Sequence, residues 1–178
     1  MRGNERRSAA AVTVALLADN PHLVAAVGEL RWQEWGHPPE PEALTWWVDV
    51  TRREAGGTGL PVTWVAIDPL GQVVGAVGLG EFDIAERRDR SPWVLGMIVA
   101  AHRRGEGIGG QLLAALEAWA CQHGYAQAWV ATGGRAIAFY QKCGWQVAEI
   151  VEQASGERAT VLTKRLGNDP IPAALPES

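Results

Sequence analysis

Arg103-Arg104-Gly105-Glu106-Gly107-Ile108-Gly109-Gly110 decides how this chain is read. An apolar run, Trp93 to Ala101, leads into it, and an amphipathic run, Ile108 to His123, leaves it. The glycines therefore fall where a strand hands over to a helix. Glycine lets the backbone approach a ligand without a Cβ in the way. The unpaired N–H groups of a helix's first turn point into such a loop, and the helix dipole favours an anion there. Arg103 and Arg104 add charge and forked donors suited to phosphate. The pattern fits a loop that cradles a pyrophosphate. A tight strand-to-helix turn with a solvated basic edge is the simpler alternative.

Gly105, Gly107 and Gly110 match the spacing G-x-G-x-x-G of dinucleotide-binding folds. In those folds the first glycine follows its strand directly and an acid ends the next strand. Here Ala100 to Arg104 intervene, and the next strand ends in Val130-Ala131-Thr132. There is no G-x-x-x-x-G-K-[ST] for a nucleoside triphosphate either. Arg104-Gly105-Glu106-Gly107-Ile108-Gly109 has the form R-x-x-G-x-G. With Met97-Ile98-Val99 before it, it resembles the acetyl-CoA-binding motif of the GCN5-related N-acetyltransferases.

The chain has 178 residues, enough for one domain with a core of its own. Sixteen basic and twenty acidic residues leave a net charge of −4, which does not favour a nucleic-acid partner. Cys121 and Cys143 show no metal-ligand spacing, so no metal is expected, and their apolar, helical surroundings read as free core thiols of a reducing cytoplasm. No apolar run approaches the length of a membrane span, and Met1 to Ser8 is not followed by a signal-peptide core. The expected location is cytoplasmic, without a membrane partner. Residues 1–9 read as a flexible segment, 10–166 as the domain and 167–178, rich in Asn, Asp, Pro and Ser, as a disordered tail.

Taken in order, the expected elements begin with a strand over 12–17. Asn20-Pro21 then starts a helix, with Asn20 as its cap and Leu23, Val27 and Leu30 as its buried stripe. Gly36 ends it, and prolines 38, 39 and 41 make a stiff break. A second helix covers 41–54, with Leu44, Trp47 and Val48 on one side. Strands over 62–67 and 73–80 are joined by the turn Asp68-Pro69-Leu70-Gly71. A surface loop over 84–91 precedes the strand 93–99. After the glycine loop come a helix to Gly124, a strand over 126–131, a helix over 135–142 stopped by Gly144, and a closing hairpin of strands 145–152 and 159–165. Alternating strands and helices of this kind give an α/β arrangement with a mixed sheet.

This order resembles the acetyltransferase family over roughly residues 10 to 166. Ala136-Ile137-Ala138-Phe139-Tyr140-Gln141-Lys142-Cys143-Gly144-Trp145 is similar to the family's A-I-x-F-Y-x-K-x-G-F segment. The resemblance implies one domain with a mixed, mostly antiparallel sheet of about seven strands and about four helices. It implies acetyl-CoA as cosubstrate, held by Ile98, Val99, Arg103, Arg104, Gly105, Gly107, Ile108, Gly109, Gly110, Thr132 and Tyr140. Gly133 stands where the family often has Asn, and Ala101 where it often has Pro.

Acetyl transfer to an amine needs the neutral amine, whereas a free alkyl amine has a pKa of about 10 by comparison with lysine. A base must take its proton, the thioester oxygen needs a donor, and the departing thiolate needs an acid. The resemblance makes Tyr140 the candidate acid and backbone N–H groups near Ile98 and Val99 the oxygen's donors. Trp93 to Val99 holds no side chain able to act as base, so Glu81 and Asp83 become the candidates, ahead of His37 and His102. Solvated turn acids and a core tyrosine are the plain alternatives. The acceptor wall carries Trp32, Glu34, Trp35 and His37, with Glu40, Glu42, Trp46 and Trp47 nearby and Trp47 read as core. Aromatic faces with carboxylates suit a small cationic amine or a sugar. The wall resembles that of aminoglycoside N-acetyltransferases, and Glu29-Leu30-Arg31-Trp32-Gln33-Glu34-Trp35 is similar to a stretch of the kasugamycin 2′-acetylating type. Acetylation of a protein lysine or N-terminus, and a non-catalytic acyl-CoA-binding module, stand as alternatives. For self-association a homodimer is carried beside a monomer.

Overall fold

A computed structural model of the chain describes residues 11–36 and 42–167. Among these, seven strands form one sheet: β1 (Thr13–Leu16), β2 (Val62–Ile67), β3 (Val73–Gly80), β4 (Trp93–Val99), β5 (Gln127–Thr132), β6 (Gln146–Glu152) and β7 (Arg158–Arg165). Their order is β1-β2-β3-β4-β5-β7-β6. Every neighbouring pair is antiparallel except β4 and β5. The α-helices are α1 (Val24–Trp35), α2 (Leu44–Glu54), α3 (Ile108–Gln122) and α4 (Arg135–Lys142). The expected α/β class, single domain, mixed sheet and helix number are therefore all present. Segment 1–9, the proline break at 38, 39 and 41, and all of the tail except Gly167 lie outside the described residues.

The central strands are apolar on both sides because both sheet faces are covered. Trp64 and Ala66 of β2 join Leu112, Leu113 and Leu116 of α3 in one core, which also takes Tyr140 and Trp145. Val65, between them in sequence, joins Val24 and Val27 of α1 in a second core with Ala76 and Ile98. Successive strand residues face opposite ways, so one strand feeds both cores. Helices α1 and α2 sit close together: a Cβ on Gly28 would come within 2.7 Å of the Val48 Cα.

Two irregularities place the site. The first is a gap. β4 and β5 share a single bridge, Trp93 with Trp129, whereas β5 pairs with β7 from Gln127 to Thr132. The sheet thus opens along the rest of β4. The second is a bulge in β4. Ala76 of β3 faces Ile98 and Gly78 faces Leu95, so β4 carries one residue more than β3 between these pairs. Gly96 lies in that bulge at φ +52°, in the left-handed region that favours glycine.

Several local expectations need correction. Asn20 does not cap a helix with its side chain. Its amide turns back to donate to Leu16 O at 3.0 Å, while Pro21–Leu23 form a 3-10 turn ahead of α1. Leu44 is exposed rather than inward, because α2 begins there and turns Thr51 to the interior instead. Cys121 is exposed on α3, so only the free-thiol part of its expectation holds. The Asp68 turn is as expected: Gly71 N donates to Asp68 O at 2.9 Å, and Asp68 Oδ1 accepts from Leu70 N at 2.9 Å and Gln72 N at 2.8 Å.

Candidate active site

The glycine loop is the strand-to-helix turn its sequence requires. Gly105 and Gly107 take φ of +82° and +81°, and Gly107 is the residue before the first turn of α3. Gln111 N donates to Gly107 O at 3.1 Å, which leaves the first-turn N–H groups of Ile108, Gly109 and Gly110 without helical partners. The last two glycines have different reasons. A Cβ on Gly109 would lie 3.1 Å from the Phe139 ring, so α4 demands that glycine. A Cβ on Gly110 would meet nothing within 4 Å. Glycine in a helix costs about 1 kcal/mol against alanine. No neighbour of Gly110 among the described residues explains that cost.

The two arginines are already engaged. Arg103 Nε donates to Glu106 at 2.8 Å and Nη1 lies 3.9 Å from Asp68, while its buried Nη2 has no partner among the described residues. Arg104 Nε donates to Val99 O at 3.0 Å and Nη2 to Glu34 at 2.7 Å. On β4, Ala100 N donates to Val74 O at 2.9 Å, toward β3. By alternation Ile98 also turns its N–H toward β3, and Val99 turns its own into the gap. Of the two expected oxygen donors, geometry therefore favours Val99.

A cavity of about 1130 Å³ runs from this loop through the gap to the helices α1 and α2. Thr132 of β5 and Tyr140 of α4 line it. Tyr140 is 3% exposed and packs edge-on against Phe139 and Trp145, with ring centres 5.1 and 5.5 Å away. Its hydroxyl makes no hydrogen bond among the described residues. Burial, with Cys143 and Asp83 adding to it, pushes the phenol well above its ordinary range. Asp83 lines the same cavity at its mouth. Loss of water around it, with the Glu54 charge adding, raises its carboxyl from 3.8 to about 6. By surface area Asp83 is itself an exposed residue, so its carboxyl is only partly stripped of water and stays open to solvent. Glu81, two residues earlier and exposed like Asp83, does not line the cavity.

At the far end stand Trp35, Trp46 and Trp47. Trp47 stacks on Trp35 at 5.9 Å and meets Trp46 edge-on at 5.0 Å. Trp47 is thus half-buried cavity wall, not core, because α2 lies at the rim of the fold. Trp32 is 36% exposed and points away from the cavity lining. Glu34 lines it but is tied to Arg104. His102 is exposed in a 3-10 turn outside the lining, and His37 lies outside the described residues. The sequence reading missed Arg31, Glu54 and Gly96, all of which line the cavity. The signal for Arg31 was present. It continues the helical spacing of Val24 and Val27, so a charge falls on the buried face.

The acetyltransferase (GNAT) domain family matches residues 60–147, which hold the gap, the glycine loop and α4. The chain therefore carries a GNAT acetyltransferase domain and belongs to that class of enzyme. No curated protein matches it in sequence. Its fold is similar to an aminoglycoside 6′-N-acetyltransferase solved with coenzyme A, at TM-score 0.73 and 15% identity over 89% of this chain and 99% of that one. An aminoglycoside 6′-N-acetyltransferase from Enterococcus faecium gives TM-score 0.69 at 15% identity over 89% and 99%. A spermidine N-acetyltransferase chimera from Vibrio cholerae gives 0.67 at 13% identity over 87% and 95%. Among the described residues no helix is long and apolar enough to cross a membrane.

Acetyl-CoA fits the residues present. Unpaired first-turn N–H groups, the open space at Gly110 and the orphaned Arg103 Nη2 meet the demands of a pyrophosphate. The gap beside Val99 has room for an extended arm, and the cavity continues from it to Tyr140.

Proposed function

We propose that the protein moves an acetyl group from acetyl-CoA to a primary amine of a small molecule, directly and in a ternary complex. Aminoglycosides, kasugamycin included, are the acceptor class to test first. One observation carries the reading: a single cavity joins the glycine loop to a carboxyl near pKa 6 and a buried, protonated tyrosine. The neighbours named for aminoglycosides and spermidine support a small amine as acceptor.

Acetyl-CoA supplies, when bound, an acetyl group activated on sulfur. The loop Arg103 to Gly110 holds the phosphates and fixes the arm along β4. Val99 offers its N–H to the carbonyl oxygen. The ammonium of the acceptor enters beside Asp83 and the aromatic faces of Trp35 and Trp47. Asp83 takes its proton, directly or through water. A carboxyl at about 6 is ionised at neutral pH and still a better base than an ordinary aspartate. Tyr140 keeps its phenolic proton until the sulfur leaves and gives it there, and the second proton that the nitrogen sheds on becoming an amide returns to the phenolate, directly or through water. The high phenol pKa suits that role only where the sulfur is equally dry, as the shared burial provides. Glu81 is too far out to compete with Asp83 as base, and Glu34 acts on the acceptor only after leaving Arg104.

Thiol release from acetyl-CoA, followed across aminoglycosides, polyamines, amino acids and peptides, tests the reading. Turnover with small amines and little with peptides is the expected result. Acetylation of peptides but no small amine would replace it with the protein-amine reading. No thiol release with any amine would leave a binding module.

A further inference from the structure

Arg31 is 2% exposed on the inner face of α1, at the acceptor end of the cavity. A cation so buried is costly unless its donors are met. One nitrogen is met: Nη1 donates to Glu54 at 2.7 Å and to Thr51 Oγ1 at 3.2 Å. Nε and Nη2 have no partner among the described residues. These two nitrogens form the edge that grips a carboxylate with parallel bonds. β4 makes room for that edge. A Cβ on Gly96 would lie 3.0 Å from Nη2 and 3.2 Å from Nε. The free edge therefore rests on the bulged strand, where the strand borders the gap. Tying α1 to α2 accounts for Nη1 and leaves the other edge without a purpose.

We propose that the Nε–Nη2 edge of Arg31 is a subsite for a carboxylate on the acceptor, so that the preferred acceptor is an amine that also carries a carboxylate. The cavity then has two poles. Asp83 forms no salt bridge among the described residues and receives the ammonium. Arg31, with Glu54 holding its far nitrogen, receives the carboxylate by a small shift of the guanidinium off Gly96. A molecule with both groups is oriented by both, with its amine toward the gap. Of the cavity's three acceptor-end carboxylates, Glu34 and Glu54 are already paired with arginines. That leaves Asp83 as the free negative pole for the reacting ammonium.

The fate of the amine rests on the acetyl-transfer reading, whereas carboxylate binding does not. Two matched pairs separate them: muramic acid against glucosamine, and phenylalanine against phenylalaninamide. Binding is read by quenching of tryptophan fluorescence, since three tryptophans border the site, and turnover by thiol release. The carboxylate-bearing member of at least one pair should bind about tenfold tighter or more, as one charge-assisted hydrogen-bond pair requires. Arg31→Lys keeps the charge and loses the fork, and should bring the pair within about twofold with acetyl-CoA affinity unchanged. Gly96→Ala keeps the arginine but sets a methyl group 3.0 Å from Nη2, and should shrink the preference in the same direction. It decides the matter if Arg31→Lys does not fold. No preference in either pair overturns the proposal, and so does a preference that survives in full in both folded variants. Carboxylate preference in binding with no thiol release from any amine would keep the subsite and remove the acetyl-transfer reading.

Discussion

In the glycine loop, the proposed cofactor site is a run of consecutive residues from Arg103 to Gly110, and most of the groups it offers are backbone. On the acceptor wall, Arg31 comes from α1, Trp47 and Glu54 from α2, and Asp83 from the segment after β3. In the proposed reading the loop would bind by its lack of side chains at the glycines and by N–H groups any helix start would offer. The wall binds by side chains whose neighbours are set by tertiary packing. The loop thus constrains one common ligand, and the wall is free to suit a particular acceptor. An ion pair joins the two halves, Arg104 with Glu34 at 2.7 Å, its members 50% and 41% exposed.

Substitutions on the wall side and on the loop side should therefore fail in different ways. Tyr140→Phe keeps the buried ring and its contacts with Phe139 and Trp145 but removes the proton. It should lower kcat by about 10²-fold or more with acetyl-CoA affinity unchanged. A fully active Phe variant, with chemistry shown to limit the rate, would return Tyr140 to a packing role.

Asp83→Asn should lower kcat by about 10- to 10²-fold, less than Tyr140 because water can stand in as base. It should also change the pH profile. In the unaltered enzyme kcat should rise with pH through about 6, as Asp83 loses its proton, and then level off. The Asn variant should lose that limb. Stability should move the opposite way. The folded carboxyl titrates at about 6 against 3.8 when unfolded, so the fold holds the proton more tightly between those values. Stability contributed by this group is present below 3.8 and lost as pH rises through about 6. Asn should then melt no lower than the parent at neutral pH. An unchanged acid limb in Asp83→Asn would assign the base elsewhere, with Glu81 the next to test.

The smallest effect concerns the contact between the halves. Glu34→Gln should leave Arg104 free for phosphate and tighten acetyl-CoA by about two- to fivefold, the range of an exposed ion pair. The effect should fade at high salt. Weaker acetyl-CoA binding would mean that Glu34 positions Arg104 rather than competing for it.

This division also explains what could be read without the structure. Gly105 and Gly107 announce the loop because positive φ is a local demand that one residue type meets. Strand and helix order followed from local periodicity, and the oxygen donors near Ile98 and Val99 followed from family resemblance. The wall was legible as composition only. Trp35 and Glu34 were found and Trp47 was assigned to the core, since a tryptophan's partners are fixed by which helix packs beside it. Trp32, three residues before Trp35 on the same helix, does not line the cavity. Asp83 and Glu81 were equal in sequence, and only the turn after β3 separates them. Arg31 was passed over because its stripe was judged by its apolar members.

The same contrast supplies the central test. Gly109 and Gly110 are adjacent and look alike in sequence, yet Gly109 is required by Phe139 at 3.1 Å and Gly110 by nothing among the described residues. Gly109→Val should lower the melting temperature, at the cost of about 1–3 kcal/mol typical of overpacking. Gly110→Leu should melt as high as the parent or higher, since glycine is the poorer helix former. Calorimetric titration of acetyl-CoA into Gly110→Leu is the direct measurement. Affinity reduced by about 10²-fold in a normally folded protein is the result predicted if the pyrophosphate lies across the first turn of α3. Parent-like affinity in that variant would contradict it and place acetyl-CoA elsewhere.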